Sequence, residues 1–150
     1  MAQLSAPDDP QSLDRFLAAQ DRTYDAALAE LRRGRKVGHW MWFVFPQLRG
    51  LGQSATAHFY GIADGNEARR YLAHPVLGPR LAACAEAMMT HPDLDAQSIL
   101  GPVDAMKLRS SATLFAAVSG GDDLWDRLIT RFFDGVPCPR SSAILEARNR

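Results

Sequence analysis

Apolar residues recur along this chain at the spacing of helices rather than strands. Between Ser12, a good N-cap, and Gly34, suited to a C-terminal cap, lie Leu13, Phe16, Leu17, Tyr24, Ala27, Leu28 and Leu31. At about 100° per residue they fall on one stripe and predict a single long helix. The opposite face, with Arg15, Arg22, Ala29 and Arg33, reads as solvated. Gln20 breaks the stripe, and an amide there needs hydrogen-bond partners if it is buried. Further along, Ser54 caps a short helix over 55–62, and Asp64 with Glu67 forms a capping box for the next. His74-Pro75 and His91-Pro92 bound a helix over 76–90, and Asp95 caps a short turn. Gly101-Pro102 opens a helix over 102–118, and Asp122 or Asp123 caps a last one ending at Phe133. Gly135-Val136-Pro137-Cys138-Pro139 then breaks the pattern.

One stretch follows neither period. His39-Trp40-Met41-Trp42-Phe43-Val44-Phe45-Pro46-Gln47 is no long helix and no alternating strand, and Pro46 disfavours helix at Phe45. A glycine turn, Gly50-Leu51-Gly52-Gln53, follows it. The pattern predicts an all-α, single compact domain of about six or seven helices, with 39–53 as an irregular aromatic segment packed in its core. The domain is expected over 12–140, after a flexible tail at 1–11 and before a tail or short docking helix at 141–150.

Composition strengthens the helical reading. Of 150 residues, Ala and Leu supply 40 whereas Val and Ile supply 10. Seventeen basic side chains balance seventeen acidic ones, so there is no global pull toward nucleic acid or an anionic membrane, and neither is expected as a partner. Two cysteines without metal-ligand spacing, and His58, His74 and His91 without a metal pattern, argue against a zinc cluster, a disulfide framework or any other metal; no cofactor is expected. The first residues lack the basic start and apolar stretch of a signal peptide, and the longest apolar run, 40–45, is far too short for a bilayer span. A soluble cytoplasmic protein is the expectation. The basic residues are 15 Arg and only 2 Lys, which draws attention to Lys36 and Lys107.

Lys107 lies in the most informative segment. On a helical wheel Val103, Met106, Leu114, Ala117 and Val118 share one side, Leu108, Ala112 and Phe115 lie well round from them, and the gap holds Asp104, Lys107 and Ser111. Arg109, Thr113 and Ala116 are expected to face water. So apolar a helix belongs at the centre, placing the polar trio at an interior face or a cleft wall, with Asp104 spaced to pair with Lys107. One reading is a structural ion pair. The other is that Lys107, with the neighbouring hydroxyls of Ser110, Ser111 and Thr113, meets an anionic or polar ligand, since an ammonium donates in three directions.

Two more features fit a ligand pocket or a plain core and turn. Trp40 and Trp42 could wall a pocket, with His39 as hydrogen-bond partner or acid/base. Gly50, Gly52 and Ser54 could present N–H groups to an anion ahead of the following helix. Gln20, His39 and Asp104 would orient polar groups, and in an enzyme His39 or Asp104 would be the acid/base, acting on a glycosidic or phosphate-containing substrate. A nucleotide-like molecule falls within that ligand class. The rival reading is a non-catalytic interaction or homo-oligomer module whose aromatics are core.

These residues also form a recognisable set. Gln20, Tyr24-x-x-Ala27-Leu28-x-Glu30-Leu31-x-x-Gly34-x-Lys36, the block His39-Trp40-Met41-Trp42-Phe43-x-Phe45-Pro46-Gln47, Gly50-Leu51-Gly52-x-Ser54, Glu67-Ala68-x-x-Tyr71-Leu72-x-His74-Pro75, and Asp104-x-x-Lys107-Leu108-x-Ser110-Ser111-x-Thr113-Leu114-Phe115 resemble the family known as domain of unknown function 1810. The resemblance runs over roughly 13–135 and implies a mainly helical single domain, with no activity attached. Members often carry the label calpastatin; a calpain inhibitor of that name is disordered and repetitive, unlike this apolar, non-repetitive sequence.

Overall fold

The computed structural model describes residues 9–148, so most of the stretch read as an N-terminal tail (1–8) and the last two residues lie outside it. Its organising element is α8, Pro102–Val118, in a series of ten helices among the described residues. Before it come α1 (Asp14–Gln20), α2 (Tyr24–Arg33), α3 (Met41–Val44), α4 (Ala55–Phe59), α5 (Gly65–Ala73), α6 (Leu77–Met88) and α7 (Ala96–Leu100); after it come α9 (Leu124–Phe133) and α10 (Pro139–Arg148). The only β pairing among these residues is one isolated parallel bridge between Leu48 and Ile62.

Pro102 stands in the first turn of α8, where its missing N–H costs nothing. The helix buries Ala105, Leu108, Ala112, Leu114 and Phe115, and α5, α7, α9 and α10 pack around it. Aromatic rings run through the core as a chain: Phe16 meets Tyr71 at 5.1 Å between centroids, Tyr71 meets Phe115 at 5.5 Å, and Phe115 meets Trp125 at 5.6 Å. α6 closes the other side against α2, α5 and α9.

The all-α expectation holds, and so do three of the expected N-caps; Ser12 is not one, since α1 starts after Leu13 and Ser12 Oγ accepts Asp14 N–H instead. Ser54, Asp64 and Asp95 each accept a backbone N–H at a helix start. The helix count exceeds expectation for four local reasons, the first being that the turn capped by Asp95 is the five-residue helix α7. α3 forms a single turn inside the aromatic segment, and α10 makes most of 141–150 a helix that buries Ser141 and Leu145. The predicted first helix is in fact two. Thr23 Oγ1 donates to Ala19 O at 2.6 Å, occupying the carbonyl that Thr23 N–H would use in a continuous helix, and that N–H turns to Gln20 O instead.

Three exposure expectations are corrected. Arg15, expected on a solvated face, is 1% exposed because Glu67 and the 59–61 turn cover it. Thr113, expected to face water, is buried: its hydroxyl bonds Arg109 O, and α10 begins over it, with Cys138 N–H donating to Thr113 Oγ1. Val103 and Met106, placed with the apolar side, are 66% and 72% exposed, because they stand on a face of α8 that opens onto a cleft instead of another helix.

Candidate functional site

Gly34 ends α2 in the left-handed conformation, at φ +83°, which a side chain would strain. The chain leaves in a new direction, and Lys36 N–H donates to Ile99 O at 2.7 Å, tying it to α7. The next residues wrap around the Glu30 carboxylate. Its Oε1 accepts from Val37 N–H at 2.6 Å, Gly38 N–H at 2.9 Å and Trp40 Nε1–H at 3.0 Å. Burial works to raise the Glu30 carboxyl, but these three donors and the nearby Arg33 charge outweigh it and hold the group below the usual carboxylate range. This is why the aromatic segment can be irregular yet fixed: one buried carboxylate gathers its N–H groups.

The wrap brings both lysines of the sequence to one aspartate. Lys36 Nζ lies 2.8 Å from Asp104 Oδ2, and Lys107 Nζ lies 3.2 Å from Asp104 Oδ1. Each ammonium also faces a tryptophan, Lys36 at 5.0 Å from the Trp40 ring centroid and Lys107 at 3.6 Å from that of Trp42. Lys36 donates further to Gly38 O at 2.6 Å. Burial acts to raise the Asp104 carboxyl; the hydrogen bonds and charges of the two lysines overcome it and keep Asp104 below the ordinary carboxylate range. The trio is half-buried and carries one net positive charge at neutral pH.

Lys107 and Trp42 open onto a cleft of about 250 Å³, walled further by Gln47, Leu51, Gly52, Val103, Met106, Ser110, Cys138 and Arg140. Gly52 has a steric reason for lacking a side chain: a Cβ there would stand 2.6 Å from that of Ala57, with the Trp42 ring next nearest. The Arg140 side chain makes no hydrogen bond or ion pair among the described residues, and the cleft wall holds two cations and no carboxylate. A larger hollow of about 460 Å³ lies between α8 and α9, lined by Thr113, Ala117, Asp126, Ile129 and Thr130 among others. Its ionisable lining residue is acidic and it holds no cation, so for an anion the chemistry favours the smaller cleft over that hollow.

The sequence-predicted residues divide accordingly. Trp42, Gly52, Lys107 and Ser110 line the cleft, and Asp104 stands behind it. Trp40 is buried beneath, on the Glu30 and Lys36 side. His39 is exposed and not part of the cleft wall. Gly50 is a left-handed turn residue near Arg148, and Ser54 is engaged as the α4 cap; neither lines the cleft. Ser111 is fully buried on the core side of α8, its hydroxyl unpartnered. Gln20 is a core amide, donating to Phe43 O at 2.7 Å and Tyr71 OH at 3.1 Å and accepting from Arg80. Cys138 and Arg140 escaped the sequence reading. Pro139, the first residue of α10, is also a helix-start signal, which would have marked Cys138 as an N-cap instead of part of a breaker. Among the described residues no group of three or more His, Cys, Asp or Glu is placed to hold a metal, and no helix is long and apolar enough to cross a membrane.

A family model described as a protein of unknown function, DUF1810, matches residues 10–145. The solved structure of the conserved hypothetical protein Rv1873 from Mycobacterium tuberculosis is 45% identical in sequence and superposes with a TM-score of 0.89. That match covers 92% of this chain and 99% of the other. No curated protein matches.

Proposed function

The chain belongs to the DUF1810 family of proteins of unknown function, and on that premise we propose that it binds a small anionic ligand in the Trp42–Lys107 cleft. The carrying observation is the Lys107 ammonium, seated 3.6 Å over the Trp42 ring in a wall that also holds Arg140 and no carboxylate. Asp104 and Trp42 fix the ammonium, so little side-chain entropy is lost when an anion meets it. Arg140 adds a planar donor pair suited to carboxylate or phosphate. At roughly 30 Å³ per water, the cleft holds the equivalent of about eight waters, which suits a sugar phosphate or one part of a nucleotide-like molecule. If the protein is an enzyme, Asp104 is held ionised by its lysines and acts as a charge anchor more readily than as a proton donor.

A thermal-shift series with inorganic phosphate, sugar phosphates and nucleotides tests this. A ligand at a hundred times its Kd raises stability by about 2.7 kcal/mol. For a chain of this length, that is a melting-temperature rise of roughly 5–10 °C. Lys107→Met keeps the stem over Trp42 and removes the charge, and it is expected to abolish the rise. A rise retained in Lys107→Met overturns the anion reading.

The interaction reading has one observation in its favour: Val103 and Met106 stand exposed on the cleft rim. Sedimentation across a concentration series reads it, with Met106→Glu as the variant that would disperse an assembly.

A further inference from the structure

We propose that Cys138 is the nucleophile of this cleft, attacking a small electrophile whose carboxylate or phosphate is held by Lys107 and Arg140. The inference rests on the anion reading above for its electrophile class and on separate geometry for its nucleophile.

Cys138 lines the cleft together with both cations and is half-buried. It is the N-cap of α10: its carbonyl accepts the first intrahelical bond, from Ser142 N–H at 3.1 Å, and its own N–H is held by Thr113 Oγ1 at 2.8 Å. The sulfur therefore faces the positive end of a ten-residue helix, and Ser141 N–H points at it from 3.5 Å. Ser110 Oγ lies 3.5 Å away on α8, its proton shared between the sulfur and Met106 O.

An independent sign comes from Ser141. Its hydroxyl is fully buried beside the sulfur and has no partner among the described residues other than that sulfur. A neutral thiol is a weak acceptor and leaves that hydroxyl unsatisfied; a thiolate is a strong one and satisfies it together with Ser110 and the α10 N–H group. Burial acts to raise the Cys138 thiol, but the bonds from Ser110 and Ser141 outweigh it and set the group below the ordinary thiol range. Cys84 is the opposite case, a fully buried thiol pushed up to about 12 by burial.

In the step itself the thiol proton goes to solvent and the sulfur electron pair attacks an electrophilic carbon. An S–C bond forms, the bond from that carbon to its leaving group breaks, and the leaving group departs with the bonding pair. Lys107 and Arg140 balance the charge of the neighbouring anionic group throughout.

Haloacetates report this directly. The folded protein is alkylated with iodoacetate, which is anionic, and with iodoacetamide, which is neutral, from pH 5.5 to 9.5, and the modified cysteine is located by mass spectrometry. Cys138 is expected to react with both reagents while Cys84 does not. Its rate midpoint should fall below the value near 8.5 of a free thiol such as N-acetylcysteinamide, which carries no carboxylate, and rise in Ser141→Ala. Its preference for iodoacetate should exceed that of N-acetylcysteinamide by about tenfold, the low end of charge focusing in a cleft. Lys107→Met with Arg140→Gln should erase that preference. A Cys138 profile that follows N-acetylcysteinamide overturns the nucleophile, whatever the phosphate thermal shift shows. Fast alkylation with no preference for iodoacetate overturns the electrophile class, and with no phosphate shift either it overturns the anion reading itself.

Discussion

Two clusters of buried charge sit in this domain, and they are built to opposite ends. In the first, Arg15 is enclosed: Nε donates to Phe59 O, Nη1 to Ser12 O and Glu67 Oε2, Nη2 to Gly61 O and Glu67 Oε1. All five N–H groups of the guanidinium are used, Glu67 Oε1 also takes Ala63 N–H, and the pair is neutral. It ties α1 to α5 and to the turn after α4, and nothing remains for a ligand. In the second, two lysines share one aspartate, the sum is positive, and Lys107 stands in a cleft wall with Arg140. A saturated neutral pair holds a fold together; an unsaturated cationic trio has capacity left to bind.

The sharpest way to break this contrast is to unpair Arg15. Glu67→Gln leaves a guanidinium buried without a counter-charge, and loss of one partner of a buried pair costs roughly 3–5 kcal/mol. Urea denaturation should show that loss, with no change in phosphate binding by the protein that remains folded. A loss below about 1 kcal/mol, the scale of an exposed pair, would show that Arg15 is not the closed cluster described.

Asp104→Asn comes next in size. It leaves two ammoniums facing each other across a neutral amide, with a cost expected near 1–3 kcal/mol, as for losing charged hydrogen bonds. The same substitution reads the acid limb. Asp104 and Glu30 are both held below their unfolded values, so their stabilisation is complete above the ordinary carboxylate range and is lost as pH falls through it. Melting temperature between pH 7 and pH 3 should therefore fall less steeply in Asp104→Asn than in the parent. Parallel curves would remove Asp104 from the acid response.

Much of the fold was legible because it depends on local chemistry. Gly101-Pro102 announces α8, and Ser54, Asp64 and Asp95 announce caps that form as expected. The burial of Arg15 was not legible, since its partner lies 52 residues away and periodicity carries no such information. Thr23 split a helix through a side-chain bond that hydrophobic spacing cannot register. At the site, the scarcity of lysine pointed to Lys36 and Lys107, and helical spacing paired Asp104 with Lys107. Lys36 joins them only because Gly34 turns the chain and Glu30 gathers residues 37–40, a convergence between distant segments.

The smallest expected effect on stability carries the most information about function. In Lys107→Met the apolar stem still covers Trp42, and Asp104 keeps Lys36 as its partner at 2.8 Å. What is lost is one half-buried ion pair and a cation–π contact, each worth on the order of 1 kcal/mol at most in such surroundings. Removing a charge from a positively charged trio also relieves the repulsion between the two ammoniums, which offsets part of that loss. The net change in unfolding free energy should lie within about 1 kcal/mol, several times smaller than for Glu67→Gln. Were Lys107→Met to unfold the protein as readily as Glu67→Gln does, Lys107 would be a structural charge like Arg15, and the open cluster would be closed after all. A near-native denaturation curve together with a lost phosphate shift separates the residue that holds the fold from the residue that uses it.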